Sequence, residues 1–338
     1  MAKMTIDKVA ELSHVSRSVV SRVLNDHPNV SDAARKRVRK VIEEHDYRPS
    51  SVARSLATSS THEICALTPR RQGDALANGF WPLLHSGILE QGMEREYLVS
   101  LSMVALDETA CIEQYVDDQR FDGYVLITQQ VSQQVGPTLE ERDLPAVLIG
   151  HDPTHQGFSS VDVNNHAGAY EATRHLCNLG YETVGAIWGT LDLKESVDRR
   201  AGYLEALEDA GHDVPERWIA VGDYSQESGY EIMAQWLQAG DPPAALFCAS
   251  DTMATGALLA LHQAGYAVPE EVAVVGFDGL PTSAYTIPPL TTVRQPIYEK
   301  GAKAANIIID RIDGDDTEVV HLNLDPELVV RESCGART

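Results

Sequence analysis

Val15-Ser16-Arg17-Ser18-Val19-Val20-Ser21-Arg22-Val23-Leu24-Asn25 reads as one short amphipathic helix, and its surroundings decide the architecture. Val19, Val20 and Val23 recur at helical spacing and face inward, while Arg17, Ser18, Ser21 and Arg22 face outward. Upstream, Thr5 is a good N-cap for a helix carrying Ile6, Val9, Ala10 and Leu12. Ser13-His14-Val15 interrupts that helix, and Ser16 caps the next. Pro28 and Asn29 break the chain again. Ser31 then caps a third helix running to Asp46, with Ala34, Val38, Val41 and Ile42 apolar. Two short helices across a tight turn, with a third in support, make the helix-turn-helix plan, whose second helix enters the DNA major groove. There a guanidinium can bond a guanine edge in a bidentate way, while a serine reads bases less selectively. A generic three-helix bundle with a solvated basic face shows the same pattern, so the decision rests on what surrounds it.

Charge is the first of those surroundings. Residues 1–60 hold 11 Lys and Arg against 7 Asp and Glu, a net +4, and the rest of the chain holds 16 against 43, a net −27. A chain of net charge −23 is repelled by a polyanion unless its basic charge is gathered in one place, as it is here. The second is the stretch Tyr47-Arg48-Pro49-Ser50-Ser51-Val52-Ala53-Arg54-Ser55-Leu56-Ala57. It is too short for a stable independent helix and suits a segment that folds against a partner or DNA.

The 338 residues suffice for this module plus one or two packed domains. No apolar run approaches the roughly 20 residues that span a bilayer, and no signal-peptide pattern opens the chain, so the expectation is a cytoplasmic protein. The five cysteines are scattered, with no Cys-x-x-Cys pair, so neither a disulfide framework nor a zinc site is expected. The sequence gives no reason to expect a metal or other cofactor.

From Glu63 onward apolar runs alternate with helical stretches. Strands are predicted at Ile64–Leu67, Leu98–Val104, Gly123–Ile127, Ala146–Ile149, Val184–Trp188, Ala244–Cys248 and Val272–Gly276. Helices are predicted at Leu83–Arg95, Ile112–Asp118, His166–Leu179, Ser196–Ala210, Ser228–Gln238, Thr252–Ala264 and Tyr298–Ile312. Such alternation implies doubly wound parallel sheets, and two are needed for this many units. Neither Gly-x-Gly-x-x-Gly nor a Walker loop occurs, and no triad or metal set supports catalysis, so no enzyme is expected.

With these motifs in view, the stretch from Thr5 to Leu56 resembles the headpiece and hinge of the lactose-repressor (LacI) family of bacterial transcription regulators. Val15-Ser16-Arg17, Val20-Ser21-Arg22-Val23-Leu24-Asn25, Tyr47-Arg48-Pro49 and Val52-Ala53-Arg54-Ser55-Leu56 carry the likeness. His14 stands where the family's turn usually has glycine, so it is expected at positive φ, and Lys8 replaces a usual Asp. The rest is similar to the same family through Val274-Val275-Gly276-Phe277-Asp278-Gly279, Pro289 to Pro296, Ser250 to Ala257 and Arg199 to Tyr203. The implied fold class is α/β: a periplasmic-binding-protein-like, two-lobed, doubly wound domain behind an all-α helix-turn-helix headpiece. The implied layout is a headpiece over 1–49, a hinge helix and linker over 50–61, and a core over 62–338. Lobe 1 would hold about 62–160 and 292–318, and lobe 2 about 161–291 and 319–333.

The resemblance also implies residue roles. Arg17, Ser18 and Arg22 would read bases, and Leu56 would wedge into the minor groove. Thr5, Ser16, Ser21, Asn25, Asn29, Tyr47 and Arg54 would complete the DNA contacts. An effector would sit between the lobes at the carboxyl ends of strands. Arg199 would clamp it from a helix start, Asp278 would accept its hydroxyl or amine hydrogens, and Tyr224 would stack on it. Ser250, Thr128, Phe80 and Trp81 would add contacts. Asp251 reads rather as an N-cap for the helix from Thr252, and Asp313, Asp315 and Asp316 as a solvated turn. Partners would be pseudo-palindromic operator DNA, a small effector and a second copy of the chain. A sugar is the leading effector and a purine the second, with a plain sugar-binding receptor the other alternative. No leucine-heptad tail follows Ser333, which points to dimers.

Overall fold

Apolar residues three and four apart, with hydroxyl caps, build the N-terminal helices in this computed structural model, which describes residues 4–24, 28–47, 60–69, 79–106, 116, 120–213, 216–315 and 318–336. The chain divides into two units, Met1–His62 and Glu63–Thr338. In the first, α1 (Ile6–Leu12), α2 (Arg17–Leu24) and α3 (Asp32–Glu44) bury Val9, Val20, Val23, Val38, Val41 and Tyr47 together. Thr5 Oγ1 accepts from the Lys8 N–H at 3.3 Å, and Ser31 Oγ accepts from the Ala34 N–H at 3.4 Å, each satisfying an orphan donor of a first helical turn. His14 closes the turn at φ 53°, the left-handed conformation expected of it. Arg37 Nε donates to the Ser13 carbonyl at 3.2 Å, tying α3 to that turn.

Among the described residues the second unit contains two six-stranded sheets. Its elements are β1 (Glu63–Pro69), α4 (Phe80–Glu94), β2 (Leu98–Val104), β3 (Gly123–Ile127), α5 (Gln129–Glu141), β4 (Ala146–Ile149), β5 (Ser159–Val163), α6 (Asn165–Asn178), β6 (Val184–Trp188), α7 (Lys194–Ala210), β7 (Ile219–Val221), α8 (Gln226–Gln238), β8 (Ala245–Cys248), α9 (Asp251–Ala264), β9 (Ala273–Asp278), β10 (Thr291–Arg294), α10 (Ile297–Asp313), β11 (His321–Leu324) and β12 (Glu327–Val329). The first sheet runs β11-β5-β4-β3-β1-β2, all parallel. The second runs β12-β10-β9-β8-β6-β7, parallel except for β12, which is antiparallel to β10. Helices α4 and α10 pack together in the first lobe; α6 with α7, and α8 with α9, pack in the second. Gly202 permits the α6–α7 approach, since a Cβ there would lie 2.1 Å from the His166 carbonyl oxygen.

The chain passes between the lobes at β5 to α6, at β10 to α10 and at β11 to β12. The second exchange thus falls after Arg294, not before Thr292, because β10 pairs with β9. The third falls after Leu324, not before residue 319, because β11 pairs with β5. Helix α5 went unpredicted, as did β5, β7, β10, β11 and β12. Helix α4 begins three residues earlier than predicted, at Phe80. The predicted helix Ile112–Asp118 lies outside the described residues apart from Val116, which is buried. Asp313 is not in a solvated turn; it ends α10 and accepts from Arg95 and from the Tyr97 hydroxyl, at 3.0 and 2.8 Å. No helix among the described residues is long and apolar enough to cross a membrane.

Candidate functional sites

The second helix of the headpiece presents Arg17, Ser18 and Arg22 to solvent, with Ser21 half-buried. Arg17 Nε stands 3.9 Å from Asp7, both side chains well exposed, a pair too wet to hold the guanidinium back from another anion. The Ser16 and Ser18 hydroxyls bond each other at 2.8 Å. Thr5 and Asn29 are exposed. Tyr47 is 8 % exposed, its ring in the headpiece core where the apolar faces of the three helices converge. Asn25, Arg54 and Leu56 lie outside the described residues.

In the second unit a cavity of about 860 Å³ brings together all seven predicted effector residues, Phe80, Trp81, Thr128, Arg199, Tyr224, Ser250 and Asp278. Each arrives at the end of a strand or the start of a helix, as parallel sheets require. Arg199 is buried in the second turn of α7, which starts at Lys194 rather than at Ser196. Its Nε donates to Asn165 Oδ1 at 2.9 Å, its Nη1 donates to the Ala249 carbonyl and stands 3.8 Å from Asp278 Oδ1, and its guanidinium lies 3.8 Å over the Phe277 ring. Asp198, the residue before Arg199, pairs with Lys194.

Asp278 ends β9 at φ 123° and accepts from Gln295 Nε2 at 2.7 Å. Burial pushes its carboxyl above the usual range, while Arg199 opposes the shift. Asp251 is not the cap of α9. Ser250 is, its Oγ accepting from the Met253 N–H at 3.1 Å, and Asp251 is the first helical residue. Asp251 instead fastens three elements: its carboxylate accepts from the Leu280 N–H at 2.7 Å and from the Thr292 hydroxyl. Burial, then the neighbouring Asp278 charge, raise its pKa.

Tyr224 sits at φ 70° with its hydroxyl bonded to Ser196. Phe80 and Trp81 meet edge to face, ring centres 5.3 Å apart, on the first turn of α4. Thr128 holds φ 83°, and among the described residues its buried hydroxyl has no partner, nor has the buried Gln295 Oε1. Sequence reasoning gave no ligand role to Asp162, Asn165, Glu195, Gln295 or Lys300, which also line the cavity. Lys300 lies inside a helix whose neighbours are mostly apolar, and a charge at a buried helical position was the signal available. Among the described residues no cluster of His, Cys, Asp and Glu could hold a metal ion.

A small unit with an exposed arginine-bearing second helix, followed by two lobes around a polar and aromatic cleft, defines the class of ligand-responsive DNA-binding regulators. Residues 5–50 match the family model for bacterial regulatory proteins of the lacI family, and residues 173–334 match the periplasmic binding protein-like domain. The HTH-type transcriptional repressor PurR of Aliivibrio salmonicida is 32 % identical over 97 % of this chain and 98 % of its own. A solved CelR–cellobiose complex shares 32 % identity with a TM-score of 0.75, covering 98 % of this chain and 99 % of its own. The Lac repressor dimer bound to operator and the anti-inducer ONPF shares 26 % identity with a TM-score of 0.85, over 98 % and 99 %. The chain belongs to the LacI family of bacterial transcription regulators.

Proposed function

We propose that this chain is a cytoplasmic repressor without catalytic turnover. As a homodimer it binds a pseudo-palindromic operator through Arg17, Ser18 and Arg22, and a small carbohydrate in the cleft sets its operator affinity. The observation that carries the reading is the convergence of Arg199, Asp278, Thr128, Tyr224, Phe80 and Trp81 on one cavity of about 860 Å³. Its polar groups come from both lobes, so a ligand that bonds both favours one lobe arrangement over another. Flat aromatic faces with fixed donors and acceptors suit sugar rings, and the similar CelR is known bound to cellobiose. A purine is the second reading, since the same aromatics beside Arg199 and Asp278 also suit a nucleobase.

The test is a thermal-shift screen of sugars and purines, followed by operator titration with each hit. A ligand at about 100 times its Kd stabilises by roughly 2.7 kcal/mol. At least one sugar is expected to raise the melting temperature and to change operator affinity. A sugar that binds without changing operator affinity would leave the cleft a receptor rather than a control site.

A further inference from the structure

Lys300 is a charged residue almost removed from solvent, at 6 % exposure, on a helix of the first lobe. It lines the cleft, its Nζ 5.6 Å from the centre of the Phe80 ring, and it makes no hydrogen bond or ion pair among the described residues. Among the carboxylates that line the same cavity are Asp162, from β5 of the same lobe, and Glu195, from the first turn of α7 in the other. Glu195 likewise has no ion pair among the described residues, and Thr128 Oγ1 and Gln295 Oε1 are buried without partners. Buried polar groups left unpaired are costly, so a concentration of them around a cavity marks groups that a ligand satisfies.

The balance of charge says which ligand. The charged groups that act on Lys300 are Asp162, Glu195 and Asp278 against Arg199. Arg199 Nε and Nη1 are engaged by Asn165 and the Ala249 carbonyl, and Asp278 stands 3.8 Å from Nη1, so the guanidinium charge is already matched by a carboxylate of the protein. Burial raises the Glu195 carboxyl and lowers the Lys300 ammonium, both signs of a cleft that resists further charge. A phosphate or carboxylate entering here meets three carboxylates in a site where water screens little. A hydroxyl meets no such opposition: its oxygen accepts from the ammonium and its hydrogen is donated to a carboxylate.

We propose that Lys300, Asp162 and Glu195 are specificity-determining residues that restrict the cleft to uncharged, hydroxyl-rich ligands and exclude the phosphorylated or carboxylated forms of the same molecules. The proposal rests on the cleft being the effector site.

The experiment is calorimetry on the full chain with matched probes: cellobiose against cellobionate, glucose against glucose 6-phosphate and glucuronate, and guanine as the non-sugar control. In any pair that binds, the neutral member is expected to bind at least 100-fold tighter. Lys300→Met should weaken the neutral probe tenfold or more. The double variant Asp162→Asn with Glu195→Gln should narrow the neutral-to-anionic ratio at least tenfold. A ratio of affinities does not depend on the folded fraction, so partial misfolding cannot imitate that result. An anionic member binding as tightly as its neutral partner, or a ratio unmoved in the double variant, overturns the proposal alone. Binding of guanine with no response to any sugar, or silence of the whole panel, overturns the carbohydrate reading and the proposal with it.

Discussion

Asp251 shows how a residue's job can differ from the one its neighbours suggest. In sequence it stands one place before a helix, where aspartate usually caps. In the structure the serine before it caps, and the carboxylate reaches back to the Leu280 amide and the Thr292 hydroxyl. Burial and the nearby Asp278 charge raise its pKa, against the pull of those two donors and of Arg331. The folded protein therefore holds this proton to higher pH than the unfolded chain does. Its contribution to stability is present below the ordinary aspartate range and is lost as pH rises through the raised value. Asp251→Asn keeps an acceptor for the Leu280 amide and removes the titration. Thermal midpoints of the wild type should fall more steeply than those of the variant between pH 5 and 9, and equal slopes would rule the assignment out. The reason for glycine at 189 shows only in space: a Cβ there would sit 2.0 Å from the Tyr224 ring. Contacts between residues distant in sequence leave no local trace.

Elements divide along the same line. β1, β3, β4, β6 and β8 were legible because a strand buried on both faces must be a continuous apolar run. Helix α5 was not, since Gln129-Gln130-Val131-Ser132-Gln133-Gln134-Val135-Gly136-Pro137 is polar and contains a helix breaker. It is held by Val131, Val135 and Leu139 packing beneath the first sheet. The short strands β10, β11 and β12 escaped because they mix polar with apolar residues at the crossings between lobes, and with them went the exact lobe boundaries. In the cleft, the residues matching family motifs were legible and the chain's own charges, Lys300, Asp162 and Glu195, were not. Helix α2 is the opposite case, with its caps, apolar stripe and exposed arginines all readable. Arg22 is exposed there, near the carboxyl end of the helix, outside the headpiece core. Arg22→Ala should leave thermal stability unchanged and weaken cognate operator by roughly 1–3 kcal/mol, the cost of a lost bidentate base contact. Random DNA should be much less affected. Equal losses on both DNAs in fluorescence titrations would place the guanidinium on phosphate instead.

At the scale of the whole molecule, charge and connectivity separate two tasks. The +4 of residues 1–60 against the −27 that follows leaves phosphate neutralisation to the N-terminal unit, while the cleft lies wholly within the second. Three crossings join the lobes, and groups from both lobes line the cleft, so a ligand that bonds groups of both lobes would bias how they close. If that bias reaches the operator, linkage fixes its size in both directions. An effector that changes operator affinity by a given factor must find its own affinity changed by the same factor when operator is present. Effector titrations of the full chain with and without saturating operator should reproduce the factor read from operator titrations with and without effector; a factor of about 5–150 corresponds to roughly 1–3 kcal/mol of coupling. A variant lacking residues 1–60 should bind effector with an affinity indifferent to operator, and should not bind operator at any salt concentration. Operator binding that persists in that variant would break the division of labour. A mismatch between the two factors in the full chain would show that the effector acts at a second place as well as in the cleft.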